Sequence, residues 1–233
     1  MKPNPTPAQS FKPHQSSLIL AALAAVAAWF VPFLRLVMLP LQYLNTHLHE
    51  MSHAIVAAAT GGEIQKIVVN ADGSGVTPVF GGSTLLEASA GYLGAAVIGS
   101  LMIFFGRTPQ RARTVLYTIG GLLAFSMIFW VRGDLVGIAS GLFWVAALLI
   151  GGKAIKATWL VFVVQFLGVE QCLTAVQSVL NLLHITEHTE VQSDALIMAH
   201  ATGIGALFWA FAWTLTSVIL VGVTLRLAWR SKT

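Results

Sequence analysis

The sequence predicts an all-α polytopic membrane protein of about six to seven transmembrane helices, with a short β-hairpin after the helix that carries its most polar motif. Three observations lead there. Of 233 residues, 56% are hydrophobic and only 9% charged, a balance that water-soluble domains do not reach. Apolar stretches longer than the roughly 18 residues needed to cross about 30 Å of hydrocarbon recur along the whole chain, so no large soluble domain fits between them. The net charge of +4 comes mostly from short clusters between those stretches, where Lys and Arg set orientation in a bilayer. Nucleic acid is therefore not expected as a partner; the lipid bilayer is. The single cysteine, Cys172, excludes an internal disulfide.

Residues 1–16 hold four prolines and two lysines without hydrophobic periodicity, the pattern of a disordered tail, and 17–233 read as one transmembrane domain. Ser17 to Leu39 is the first span, punctuated by Pro32 and Pro40, and Leu41 to Thr60 is a second helix that Gly61 and Gly62 end. Glu63 to Val69 and Gly75 to Phe80 are rich in β-formers and flank the turn signal Asn70-Ala-Asp-Gly-Ser-Gly75, which predicts the hairpin.

Apolar segments follow at approximately 85–105, 114–131, 134–151, 157–183 and 204–229. Between them lie Arg107-Thr-Pro-Gln-Arg-Ala-Arg113, Arg132-Gly-Asp134, Lys153-Ala-Ile-Lys156 and a polar loop from His184 to Ser193. If all seven segments cross, Arg107, Arg111, Arg113, Lys153, Lys156, Arg226, Arg230 and Lys232 share one side and the amino terminus lies on the other.

The second helix contains His49-Glu-Met-Ser-His53, which matches H-E-x-x-H. Residues four apart stack on one helix face, so two imidazoles can converge on one zinc ion while the Glu between them reaches the water that the metal activates. Glu50 is read as the general base of a peptide hydrolysis and His49 and His53 as ligands. Chance produces this pattern in a chain of this composition about once in 200. The motif also lies at membrane depth, where a charged side chain costs roughly 3 kcal/mol and is rare unless paired or functional.

Catalytic zinc takes a third protein ligand, for which the candidates are Asp134, Glu170, His184, His188, Glu190, Asp194 and His200. Asp194 reads equally well as a ligand and as an ordinary helix-start acid. A helix from 194 to 229 would be roughly 54 Å long, too long for one crossing, so the break at Thr202-Gly-Ile-Gly205 predicts a separate short helix bearing Asp194 that can dip back to the metal. The run Gly91, Ala95, Gly99 is a small-xxx-small stripe, read as helix packing. An exposed strand edge between Glu63 and Phe80 suits an extended peptide, or else the hairpin simply covers the site.

The order of these features, with His49-Glu-Met-Ser-His-Ala-Ile-Val-Ala-Ala-Ala-Thr-Gly-Gly62, Asp72-Gly-Ser-Gly75, Ser193-Asp-Ala195 and Thr202-Gly203, resembles the site-2 protease family of zinc intramembrane metalloproteases. More closely, it looks like the compact bacterial branch of that family lacking a PDZ domain, over roughly residues 41–105 and 190–215. The resemblance implies a multi-pass protein of the bacterial cell membrane that cleaves membrane-protein or peptide substrates. It makes His49 and His53 ligands, Glu50 the base and Asp194 the aspartate ligand. Ser193-Asp194-Ala195 stands where the family usually has Leu/Pro-Asp-Gly. The family also usually keeps zinc near the cytosolic leaflet, whereas the charge count runs the motif helix the other way. Two alternatives stay open: an intramembrane metal or proton relay through His47, His49, Glu50 and His53, and a catalytically silent family member that binds membrane proteins.

Overall fold

The computed structural model describes residues 12–30, 32–185 and 193–230, with the side chains at 29–30, 32–37 and 175–185 outside that description. The described chain forms helices α1 (Pro13–Phe30), α2 (Pro32–Ala59), α3 (Thr84–Phe105), α4 (Pro109–Phe129), α5 (Leu135–Ala154), α6 (Ala157–Ile185), α7 (Asp194–Thr202) and α8 (Ala206–Arg230). Between α2 and α3 lie the strands β1 (Glu63–Ile64), β2 (Val68–Val69), β3 (Gly75–Val76) and β4 (Val79–Phe80). Helices α3, α4, α5, the described part of α6 and α8 are long and apolar enough to cross a membrane. An all-α polytopic membrane protein with a small β insert is the observed class.

Several helix starts have a local cause. Pro109 opens α4 behind Thr108, whose Oγ1 accepts the Arg111 N–H at 3.4 Å. Asp134 caps α5, its Oδ1 accepting from Val136 N at 2.7 Å and Gly137 N at 3.3 Å. Ser193 caps α7 through Leu196 N at 3.3 Å, and Gly203 ends that helix with φ +73°, a conformation that glycine adopts freely.

The first two helices divide differently from the expectation. Proline without an N–H is tolerated in a first helical turn, so Pro32 begins α2, while Pro40 lies inside it. The Pro40 carbonyl accepts Trp144 Nε1–H at 2.6 Å, which ties α5 to α2 at this proline.

The hydrophobic core joins Leu44, Leu48 and Met51 of α2 to Met102 of α3, Leu116 and Leu123 of α4, Leu148 of α5 and Leu160 of α6. The outer surface is apolar as well: Leu135 is 81% exposed, Ile128 67%, Ile150 64% and Leu215 62%, which hydrocarbon accommodates and water does not. Tight connections at 106–108 and 155–156 bring Arg107, Arg111, Arg113, Lys153 and Lys156 to one end of the bundle. The end of α8 joins them, since Ala228 and Leu225 pack with Ile103 and Phe104. The start of α1 lies there too: Gln15 Nε2 donates to the Trp229 carbonyl at 3.2 Å and Gln165 Nε2 to the His14 carbonyl at 3.3 Å. This corrects the expectation that the amino-terminal end sits opposite the basic clusters.

The hairpin forms as expected but is not a continuous ladder. Glu63 and Ile64 pair with Phe80 and Val79, and Val68 and Val69 with Val76 and Gly75. The first strand takes four steps from Ile64 to Val68 where the second takes three from Val76 to Val79, so it carries one extra residue, a bulge. The bulged stretch turns outward: Ile67 N–H donates to the Trp130 carbonyl at 2.8 Å and the Ile67 carbonyl accepts from Arg132 N at 2.9 Å. At the tip, Ser74 donates its hydroxyl and N–H to Asp72 Oδ1 at 2.7 and 2.9 Å, which holds that carboxyl below the usual range.

Candidate metal centre

Three side chains converge from two elements far apart in sequence. On α2, His49 and His53 lie one turn apart with their Nε2 atoms 3.1 Å from each other. From the first residue of α7, Asp194 brings Oδ2 to 3.1 Å from His49 Nε2 and 3.3 Å from His53 Nε2. These residues form the group among the described residues that could hold a metal ion. All three are well covered, with His49 and Asp194 side chains 14% and 18% exposed.

The donor set fits zinc on three counts. Two imidazole nitrogens and a carboxylate oxygen are a usual catalytic set, and with bonds of about 2.0–2.1 Å a tetrahedral ion holds its ligand atoms about 3.3 Å apart, close to the spacings here. The tautomer of His53 is set as well. Its Nδ1 lies 2.7 Å from the Glu87 carbonyl oxygen, which only accepts, so Nδ1 carries the proton and Nε2 keeps a lone pair facing Asp194 and His49. Lastly, α3 leaves room. A Cβ at Gly91 would overlap Cε1 and Nε2 of His49 and Nε2 of His53. Gly99, on the same stripe, meets the Gly168 carbonyl and Cys172 of α6, the packing role foreseen for it. Gly91 faces the imidazoles instead, and the stripe by itself does not distinguish the two positions.

Beside this group, Glu50 is 5% exposed and within electrostatic reach of His49, His53 and Asp194. Thr77, on the hairpin between β3 and β4, donates its hydroxyl to Glu50 Oε2 at 2.6 Å. Strand β3 approaches the same carboxylate so closely that a Cβ at Gly75 would stand 2.5 Å from Oε1. Tyr92 of α3 sets its ring edge against His49, centroids 4.8 Å apart, and packs on Trp213 of α8 at 5.5 Å, while Trp213 Nε1 donates to Ser89 Oγ at 3.1 Å. Neither Thr77 nor Tyr92 carries a signal in the sequence.

The remaining candidate ligands that the structure describes are placed elsewhere. Asp134 caps α5, and His200, in the last turn of α7, is exposed. Glu170 is buried in α6 outside the group. His188, Glu190 and the His184 side chain lie outside the described residues. His47 is buried and turned to α5, with Nε2 at 3.0 Å from the Gly137 carbonyl and 3.2 Å from Ser140 Oγ.

Membrane-length helices that enclose a His–His–Asp group beside a buried carboxylate define the class: a polytopic membrane protein with a candidate metal centre. The chain belongs to the peptidase M50B-like family, whose profile matches residues 18–224, and the resemblance to the site-2 protease family is thereby borne out. Comparison with curated proteins and with solved structures returns no match.

Proposed function

We propose that this chain is a zinc-dependent intramembrane endopeptidase of a bacterial cell membrane, acting on membrane-protein or peptide substrates. The observation that carries the reading is the convergence of His49 Nε2, His53 Nε2 and Asp194 Oδ2 within 3.1–3.3 Å of one another, next to Glu50. In it, His49, His53 and Asp194 hold the metal and Glu50 is the catalytic base. Zinc, when bound, supplies Lewis acidity toward a water molecule and toward a peptide carbonyl.

The chain supplies the rest. The Glu87 carbonyl keeps the His53 ring oriented and its Nε2 free to ligate. Glu50 takes a proton from the attacking water and returns it to the leaving amine, with Oε1 as the working oxygen because Thr77 occupies Oε2. For the substrate, an extended segment needs an unpaired strand edge. Ile67 has already given its outward edge to Trp130–Arg132, which leaves the edge of Gly75–Phe80, the strand beside Glu50. His47, turned toward Gly137 and Ser140, offers no onward step from the His–His–Asp group, so hydrolysis suits these residues better than a proton or metal relay.

The test is Glu50→Gln. Purified protein should carry about one zinc per chain with or without the substitution, because the ligands are spared. Membrane proteomes of cells bearing the variant should accumulate uncut substrates. Equal cleavage in both strains, or native protein that never retains zinc, removes the proposal.

A further inference from the structure

One face of α2 is bonded to the hairpin from Tyr43 to Glu50. Tyr43, Thr46 and Glu50 recur at spacings of three and four, so they line the same side of the helix. Tyr43 Oη–H donates to the Ala71 carbonyl at 2.6 Å, Thr46 Oγ1–H donates to the Gly73 carbonyl at 2.7 Å, and Thr77 Oγ1–H donates to Glu50 Oε2 at 2.6 Å. The first two bonds join side chain to backbone and fix where the hairpin tip lies. The third differs in kind, because it joins the hairpin to the carboxylate that the mechanism needs.

From this juxtaposition we infer that Thr77 is a positioning residue for the base: the hairpin strand that offers its edge to substrate also sets the plane of the Glu50 carboxylate. The inference rests on the hydrolase reading above. Its physical basis is the terminal torsion of glutamate, which is broad and roughly two-fold, so burial alone does not choose a carboxylate plane. A charge-assisted O–H···O bond does choose one. Thr77 is buried at 9% exposure and its hydroxyl has one proton, which lies nearer Oε2 than the Glu50 backbone carbonyl at 3.2 Å. With Oε2 held, Oε1 is turned to the side that Gly75, lacking a Cβ, leaves open. Displacing the hairpin therefore misaims the base while the three ligands stay in place.

The experiment compares wild type, Thr77→Val, Thr77→Ser and Glu50→Gln. Infrared difference spectra of purified protein against Glu50→Gln isolate the Glu50 carboxyl band. That band should shift in Thr77→Val, which is isosteric but cannot donate, and should stay put in Thr77→Ser. Zinc content should be unchanged in all four proteins. On fluorescein-labelled casein in detergent, Thr77→Val should lose about 10- to 100-fold in kcat at constant KM, and Thr77→Ser should recover most of it. Thr77→Ala, which introduces no new branch, serves as the second variant should Thr77→Val not fold. A wild-type band in Thr77→Val overturns the inference, and so does a wild-type kcat or a loss confined to KM or to zinc. Undiminished turnover by Glu50→Gln sinks the hydrolase reading instead, and the infrared comparison still decides whether Thr77 holds Glu50.

Discussion

Asp194 Oδ2 lies 3.1 Å from His49 Nε2, although 145 residues separate the two in the chain. The contact closes a group that α2 leaves incomplete, and it depends on α7 being short. Nine residues from Ser193's cap to Gly203's left-handed turn place the aspartate at a helix start, where its carboxylate points into the bundle, and let α8 set off separately. If Asp194 is the third ligand, Asp194→Asn should lower zinc content and should reduce turnover by more than the roughly 10- to 100-fold that outer-shell partners cost. Metal analysis of the purified variant checks this; a full complement of zinc with normal turnover would move the ligand elsewhere.

Gly91 offers a test of the cradle apart from the ligands. Alanine is favoured over glycine in a helix interior by about 1 kcal/mol, so the added methyl does not weaken α3 itself. The same methyl would occupy the space of the His49 and His53 ring atoms. Gly91→Ala is thus expected to yield a folded protein without zinc, by thermal unfolding and metal analysis together. One zinc per chain in that variant would show that α3 does not shape the site.

Metal removal should loosen a specific part of the molecule. A bound ion would tie α7 to α2, and α7 is otherwise held through Ala195 and Met198 packed against α3 and α8. Hydrogen exchange with and without a chelator should show faster exchange over Asp194–Thr202 and little change in α4 and α5, which contribute no member of the group. Uniform exchange along the chain would count against a metal bridge between α2 and α7.

His47 separates structural from functional histidines on one helix. Nε2–H of His47 donates to the Gly137 carbonyl, which also accepts from the Ser140 hydroxyl at 2.9 Å, so replacing His47 with leucine deletes one buried hydrogen bond without orphaning the acceptor, at a cost of about 0.5–1.5 kcal/mol. The expected result is a lower melting temperature with zinc content unaltered. Loss of zinc in His47→Leu would return His47 to the metal site and revive the relay reading.

Much of the fold was readable because membrane segments declare themselves by length. The expected segments at 85–105 and 157–183 fall within a few residues of α3 and α6. The hairpin was visible in its turn residues, and the separate α7 followed from the arithmetic of helix length against bilayer thickness. The first two helices were not readable in the same way. A proline inside a helix removes one backbone bond and does not by itself end the helix when the bundle packs around it, so whether α2 runs on through Pro40 is not a local property. The end at which α1 begins was missed for a related reason, since a count of crossings assumes that every apolar run crosses, whereas Gln15 and Gln165 report actual neighbours.

The candidate site divides along the same line. What the chain determined by itself was everything that repeats with a helical turn or sums over a segment: the pairing of His49 with His53, the carboxylate between them, the membrane character of the bundle. Tertiary structure alone decided which carboxylate meets the imidazoles, that Gly91 faces them while Gly99 packs on α6, that the Glu87 carbonyl holds His53, that Thr77 reaches Glu50, and that His47 turns away. The reason is geometric. Spacing along one helix sets the angle between side chains on that helix, but a contact between elements also needs their rotation, depth and closeness of approach, and those come from the packing of all the helices together.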